Sequence, residues 1–321
     1  MIAVVHLVWG PLGPAPMRDF LDSYHRHPAG ADHDLVVLLN GVDDGARPVL
    51  EAELCSVEHR ALALAAPLQD LAAYAEAARR LPHERLCFLN SYSVLLADGW
   101  LAKLDAGLSE PGAGLVGATG SWASVRSGAL NGLFLPNAYR GLLPARRVAR
   151  EQFRAIEVER GARSSGVGSS RRHSALQMAG AALRALAPMP EQILRFDGFP
   201  AAHVRTNAFM VERATFAGLR IGRVRRKMDA YVLESGHHSL TRQTLARGLR
   251  PLVIASDGAA FEHDEWPRSR TLWQGDQEGL MVADNQTRMY ARGGIDRRRL
   301  LSAFAWGLLA DPSPPAAEQA S

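Results

Sequence analysis

Apolar runs that stop abruptly at polar or glycine-containing steps set the strongest limit on what this chain can fold into. Residues 2–8 form an apolar run that opens into Gly10-Pro11; DLVVLLNG ends at Asn40-Gly41; RLCFL, residues 85–89, ends at Asn90-Ser91-Tyr92-Ser93. A strand that is apolar at every position must be covered on both faces, which is the condition of a parallel strand between layers of helix. Helical patterns separate the runs. One is expected from about Pro16 to His27 with Phe20, Leu21 and Tyr24 on one side. Another opens at Asp70, carries Leu71, Tyr74, Ala75, Ala78 and Leu81, and stops at Pro82; a third opens at Asp98 and carries Leu101, Leu104 and Leu108. The order β-α-β-(α)-β-α-β, closed by GAGLVGATGSW, specifies a doubly wound sheet, whose ligands bind beyond the carboxyl ends of the strands.

The 321 residues suffice for one core with an insertion, and 47% hydrophobic with 22% charged residues is the composition of a globular chain. The N-terminal run lacks a basic leader and a cleavage site, and no apolar run is long enough to span a bilayer, so the expected location is the cytoplasm. Cys55 and Cys87 have no metal-ligand spacing and read as two reduced core thiols. The net charge of +4 comes almost wholly from arginine, with lysine only at Lys103 and Lys227. Such a skew is often a genomic compositional bias and is weak support for nucleic-acid binding.

Beyond residue 124 the pattern changes. Residues 125–198 are dense in Arg, contain the Gly/Ser stretch GARSSGVGSSRR and carry helical spacing in LQMAGAALRAL, as an inserted helical segment would. Sheet-like sequence resumes with HVRTNAFMVER; a helix is expected at SLTRQTLARG, a strand at PLVIASDG, and a last helix opening at Asp296 with Leu300, Leu301, Phe304 and Leu308. The division is 1–124, 125–198, 199–310 and a tail at 311–321 expected to be disordered.

No GK[ST] phosphate loop, G-x-G-x-x-G, G-x-S-x-G or H-E-x-x-H is present. The missing glycine fingerprint argues against a dinucleotide dehydrogenase, and the lack of a Gly-rich, basic loop after the first strand argues against a sugar nucleotidyltransferase. FLNSYSVLLADGWL, FPAAHVRTNAFMVER and ESGHHSLTRQTLARGLRPLVI, in that order and spacing, resemble the GT-A glycosyltransferases, particularly bacterial family-2-like members. The resemblance covers the two ends of the chain and leaves the insertion out. It implies an α/β fold, a GT-A-like mixed, mostly parallel sheet flanked by helices, with an inserted helical segment. It also implies a nucleotide-sugar donor and a divalent cation, Mg²⁺ or Mn²⁺, held by Asp-x-Asp after the strand that here is RLCFL. At that place this chain has Asn90-Ser91-Tyr92-Ser93, a degenerate motif, so no metal ligand is assigned.

The same resemblance puts Glu234 in the place of the first acid of E-D-x-x-L, with Ser235 instead of the second. Glu234 is the first choice for the base that takes the acceptor's proton, and Asp229 is the second. The competing reading of Glu234 is a helix-start carboxylate, and that of Asp229 an exposed acid beside Arg225, Arg226 and Lys227. Pro11, Asn40 and Asp43 stand where a GT-A fold receives the nucleotide, with turn formation as the alternative for Asn-Gly. Asn90, Ser91, Tyr92 and Ser93 would contact donor sugar or phosphates. Arg205, Asn207, Trp266 and Asp284 fall on the acceptor side, although Asp284 could begin a turn and Trp266 could pack. If no metal binds, Arg205, Arg242 or Arg268 could face the diphosphate. His237-His238 and His263-Asp264-Glu265 could supply a late histidine ligand, an inference weakened by the missing acids. Asp32-His33-Asp34 is literally Asp-x-Asp but precedes its strand, at the wrong end for the cleft.

The expected activity is hexosyl transfer from a nucleotide sugar to a glycan or lipid-linked glycan acceptor, as in polysaccharide biosynthesis, without a tightly held metal. Arg146, Arg147, Arg150 and Arg154 would permit peripheral contact with an anionic membrane face, or form a solvated helix. The alternative function is a non-catalytic nucleotide-sugar-binding or scaffolding protein. Nucleic acid is not expected, because the insertion has no interleaved aromatics.

Overall fold

The computed structural model describes residues 1–128 and 189–312. The first stretch holds β1 (Ile2–Trp9), α1 (Ala15–Arg26), β2 (His33–Asn40), α2 (Arg47–Leu54), β3 (Arg60–Ala63) and α3 (Asp70–Arg80). It continues through β4 (Arg85–Leu89), β5 (Val94–Leu95), α4 (Trp100–Leu108), β6 (Ala113–Gly117) and β7 (Gly120–Ser121). The second stretch begins with α5 (Met189–Arg195), β8 (His203–Val204), β9 (Ala208–Glu212), α6 (Arg213–Gly218), α7 (Lys227–Ser235) and α8 (Leu240–Leu245). It ends with β10 (Arg250–Ile254), β11 (Ala260–Phe261), β12 (Val282–Ala283), α9 (Asn285–Ala291) and α10 (Ile295–Trp306).

One sheet runs in the order β11-β10-β6-β9-β4-β1-β2-β3. β1, β2, β3, β4, β6 and β10 share one direction, and β9 and β11 oppose them. This is the expected mixed, mostly parallel sheet flanked by helices. β9, from the second stretch, lies between β4 and β6 of the first, so both stretches build the same sheet. On β1 alternate side chains serve opposite layers. Ala3, Val5 and Leu7 pack with Tyr74, Phe209 and Trp306. Ile2, Val4 and Val8 pack with Phe20, Leu50 and Trp100.

The expected helix starts shift by a residue or two. Gln69, not Asp70, precedes α3, and α4 starts after Gly99 rather than at Asp98. Gly99 has φ 68°, a left-handed conformation that glycine adopts without a Cβ penalty, and its N–H donates to Pro28 O at 2.7 Å. The last helix follows Gly294, so Asp296 lies within its first turn, and it ends at Trp306 and buries Leu301, Ala305 and Trp306. Phe304, expected on its apolar side, is exposed, Leu308 is wholly exposed beyond it, and Cys55, expected in the core, is exposed. Arg146, Arg147, Arg150, Arg154 and the rest of 129–188 lie outside the described residues, as does the tail from 313. Among the described residues no helix is long and apolar enough to cross a membrane.

Two strand ends meet above the sheet. A Cβ on Gly10 would stand 2.2 Å from Gly41 O, and Gly41 itself has φ 64° with the Trp9 ring against it. Gly10→Ala is expected to force these ends apart and destabilise the chain by roughly 1–3 kcal/mol, the usual cost of overpacking. Urea unfolding measures this; an unchanged midpoint would contradict the close approach.

Candidate functional site

β1 has β2 on one side and β4 on the other, so the direction of strand addition reverses between β1 and β4. A crevice at the carboxyl ends of such strands is where doubly wound sheets take ligands. Here Trp9 N donates to Ser91 Oγ at 3.2 Å across that crevice. A small cleft beside it is lined by His6, Trp9, Leu12, Met17 and Ser91.

The Asn90–Ser93 step is a turn built on its first side chain. Asn90 Oδ1 accepts from Tyr92 N at 3.0 Å and from Ser93 Oγ at 3.2 Å, the self-bonding that favours Asn in turns. Asn90 N donates to Asn207 O at 2.8 Å, and Ser93 Oγ lies 3.3 Å from the same oxygen. The turn is thereby fastened to the segment between β8 and β9. Arg288, half-buried and ion-paired with Asp19 at 3.1 Å, donates to Tyr92 O at 3.4 Å.

Thr119 joins two further residues to this turn. Its carbonyl accepts from Arg205 N at 3.0 Å and its hydroxyl donates to Asn207 Oδ1 at 2.7 Å. The Arg205 guanidinium, 13% exposed, pairs through Nη2 with Asp284 Oδ2 at 2.8 Å, and Asp284 is 1% exposed. Asp284 follows Ala283, which pairs with Val94 just past the turn. Its other oxygen caps α9, accepting from Thr287 N at 2.8 Å and Gln286 N at 3.0 Å. Arg205 Nη1 and Asn207 Nδ2 are buried and have no hydrogen-bond partner.

Glu234 lies in the last turn of α7, not at a helix start, and so faces the negative end of the helix dipole. Its Oε1 accepts from Thr206 N at 3.0 Å and Thr206 Oγ1 at 3.2 Å, which ties it to the same β8–β9 segment. His203, buried with Nδ1 2.7 Å from Ala201 O, has its pKa lowered by burial against the opposing pull of nearby Glu234. Asp229 belongs elsewhere. It caps the start of α7 and pairs with Arg195 and Arg226, and foremost the Arg226 backbone N–H holds its carboxyl down to about 2.

The remaining candidates are dispersed. Asn40 is wholly buried, and its amide exchanges two bonds with the Leu68 backbone, at 2.8 and 2.9 Å, so it fixes a loop. Asp43 accepts from Ala46 N at 2.8 Å ahead of α2, and Pro11 is exposed in a short helical turn over Gly10–Leu12. Trp266 is in the core, its ring against Gly120 and its indole N–H donating to Phe261 O. Arg242 pairs with Asp197 and Arg268 with Glu265, both at the surface. Asp34 pairs with His83 at the amino end of the strands, opposite the crevice. Sequence reasoning passed over Thr119, Thr206, His203 and His6. For His6 a signal existed, since it is the sole polar residue in β1.

A divalent cation does not fit the turn. Hard cations need several free oxygens, preferably carboxylates. Asn90 Oδ1 and Ser91 Oγ already accept backbone N–H groups, and both oxygens of Asp284 are engaged. Among the described residues no three His, Cys, Asp or Glu converge to hold a metal.

No protein-family model and no curated protein matches the sequence. Among solved structures, the chain is similar to mannosyltransferase PcManGT from Pyrobaculum calidifontis, solved with GDP-Man and Mn²⁺. The identity is 15% over 37% of this chain and 35% of that one, with TM-score 0.32. S. aureus TarS 1-349 with UDP-GlcNAc gives 12% identity over 37% and 34% at TM-score 0.30. Glucosyl-3-phosphoglycerate synthase from Mycobacterium tuberculosis with UDP gives 14% over 67% and 57% at 0.32. The match spans only about a third of the first two structures. At such identity and superposition none of them lends this chain a residue role.

His6 lines the cleft with neither ring nitrogen hydrogen-bonded, its ring stacked 3.8 Å from Phe20. Burial pulls its pKa down to about 3. The unfolded chain, with an ordinary histidine near ~6.5, then takes up a proton that the folded chain refuses as pH falls from ~6.5 toward 3. Lowering the pH from 7 to about 4.5 should therefore cost the wild type ~2–3 kcal/mol more stability than His6→Leu. Denaturant unfolding at both pH values checks it; parallel losses in the two proteins would contradict a neutral buried His6.

Proposed function

We propose that the chain is a GT-A-like glycosyltransferase that moves a hexosyl group from a nucleotide-sugar donor to a glycan or lipid-linked glycan acceptor, without a tightly held metal. The observation that carries this reading is the convergence of Glu234 with the Asn90–Ser93 turn on the single β8–β9 segment, through Thr206 and Asn207. A carboxylate and a polar turn thus stand together at the carboxyl edge of the sheet, beside the crevice between β1 and β4. The nucleotide occupies that crevice, and the turn receives the diphosphate-linked sugar.

Glu234 is the acceptor's base. Thr206 holds one carboxylate oxygen, which sets the orientation of the other. A helix C-terminus is an unfavourable place for an unneeded negative charge, at roughly 0.3–1 kcal/mol, so the position favours a chemical role. Proton removal from the acceptor hydroxyl accompanies attack of its oxygen on the anomeric carbon, and the bond to the nucleoside diphosphate breaks as that bond forms. Glu234 marks the side from which the acceptor approaches, and a location at the cytoplasmic membrane face would suit a lipid-linked acceptor.

A second reading, a nucleotide-sugar-binding module without turnover, is favoured by one observation: Ser235 stands beside Glu234 where a second acid is expected. Glu234→Gln separates the two. It should lower transfer about 10²–10⁴-fold while leaving donor affinity intact, as loss of a general base does. Screening nucleotide sugars for hydrolysis and transfer supplies the assay; undiminished turnover in the variant removes Glu234 from the mechanism, and no turnover with any donor favours the binding module.

A further inference from the structure

We infer that Arg205 and Asn207 form a phosphate seat in which the protein's own hydrogen-bond donors occupy the role of the divalent cation. The inference rests on the donor reading above and specifies the chemistry at its diphosphate end.

Three observations converge on it. First, the turn offers no carboxylate to a cation, and its Asn90 Oδ1 and Ser91 Oγ already accept backbone N–H groups. Second, two buried donors, Arg205 Nη1 and Asn207 Nδ2, lack any acceptor. A buried donor left unsatisfied is costly, and more so on a charged group. Both residues are bound to Thr119, one by backbone and one by side chain, and both contact the Asn90–Val94 region directly or through Asp284. Third, a second guanidinium, that of Arg288, reaches the carbonyl of Tyr92 in the same turn.

A group that supplies acceptors and no donors is what this set lacks. A phosphate oxyanion is such a group, and guanidinium recognises it through charge-assisted bonds. A sugar hydroxyl is a poorer complement, since it brings a proton that needs an acceptor of its own. Asp284 is a positioning residue. It orients Arg205 through Nη2 and, with its other oxygen committed to the α9 cap, presents no free carboxylate to repel an anion. Both orphaned atoms are closed to water, so seating a phosphate requires the 205–207 turn to shift.

The test titrates inorganic pyrophosphate, UDP-glucose and GDP-mannose calorimetrically into the full chain in excess EDTA, for the wild type and two variants. Arg205→Met/Asp284→Asn removes the ion pair as a unit and keeps a capping side chain on α9. Asn207→Asp keeps the acceptor for Thr119 and replaces the orphaned donor with an anion. Pyrophosphate should bind the wild type without metal, and each variant should weaken it at least tenfold. No pyrophosphate binding to the wild type, binding only after Mg²⁺ or Mn²⁺ is added, or undiminished binding by both folded variants overturns the seat. Nucleotide sugars that bind all three proteins equally overturn the seat and leave the donor reading standing. Metal-free pyrophosphate binding lost in the variants, with no nucleotide sugar bound, supports the seat and removes the donor reading.

Discussion

A guanidinium and a carboxylate removed from water together, Arg205 against Asp284, hold the carboxyl edge of this sheet in register. Such a pair must recover the desolvation of both ions, and breaking it by removing one partner typically costs about 3–5 kcal/mol. The pair spans 79 residues of sequence and joins the β8–β9 segment to the start of α9. Because β12 pairs with β5, the same contact fixes the residues just after the Asn90–Ser93 turn. Three distant parts of the chain are thereby set around one spot. The proposed phosphate seat rests on the incomplete satisfaction of Arg205, whose Nη1 is buried without an acceptor.

The sheet supplies the platform. Strand addition turns back between β1 and β4, and the Trp9 to Ser91 bond marks the crevice that this leaves. β9 runs opposite to both its neighbours, so it brings the start of its own strand, Thr206 and Asn207, to the carboxyl ends of β4 and β6. An antiparallel insertion is what permits a residue preceding a strand to reach the ligand edge. Glu234 is drawn to that edge through Thr206, and His203 is buried nearby in an environment that disfavours its charged form.

Much of this architecture was legible in the sequence, for a physical reason. Parallel strands covered on both faces are uniformly apolar, so β1, β2 and β4 stand out as runs, and β4 has the bounds expected of it. The direction of β9 was not legible, because AFMVE is equally apolar whichever way it runs. The site divides in the same manner. Asn90–Ser93 and Glu234 stand out in the sequence by their positions after a strand and within a motif. Asp284 reads as a turn former and Arg205 as one arginine among many, and only the contact between them distinguishes either. Asn40 and Trp266 were the reverse: residue types suited to ligands that the fold commits to a loop and to the core.

The proposed seat sets protein donors against a phosphate where paired acids and a cation would otherwise stand. A crystal structure of the chain with a nucleoside diphosphate, grown in the presence of a chelator, addresses this directly. The expected result is a phosphate oxygen within hydrogen-bonding distance of Arg205 Nη1 and Asn207 Nδ2, beside the Asn90–Ser93 turn. A diphosphate bound away from these atoms, with both nitrogens still unpartnered, would contradict it.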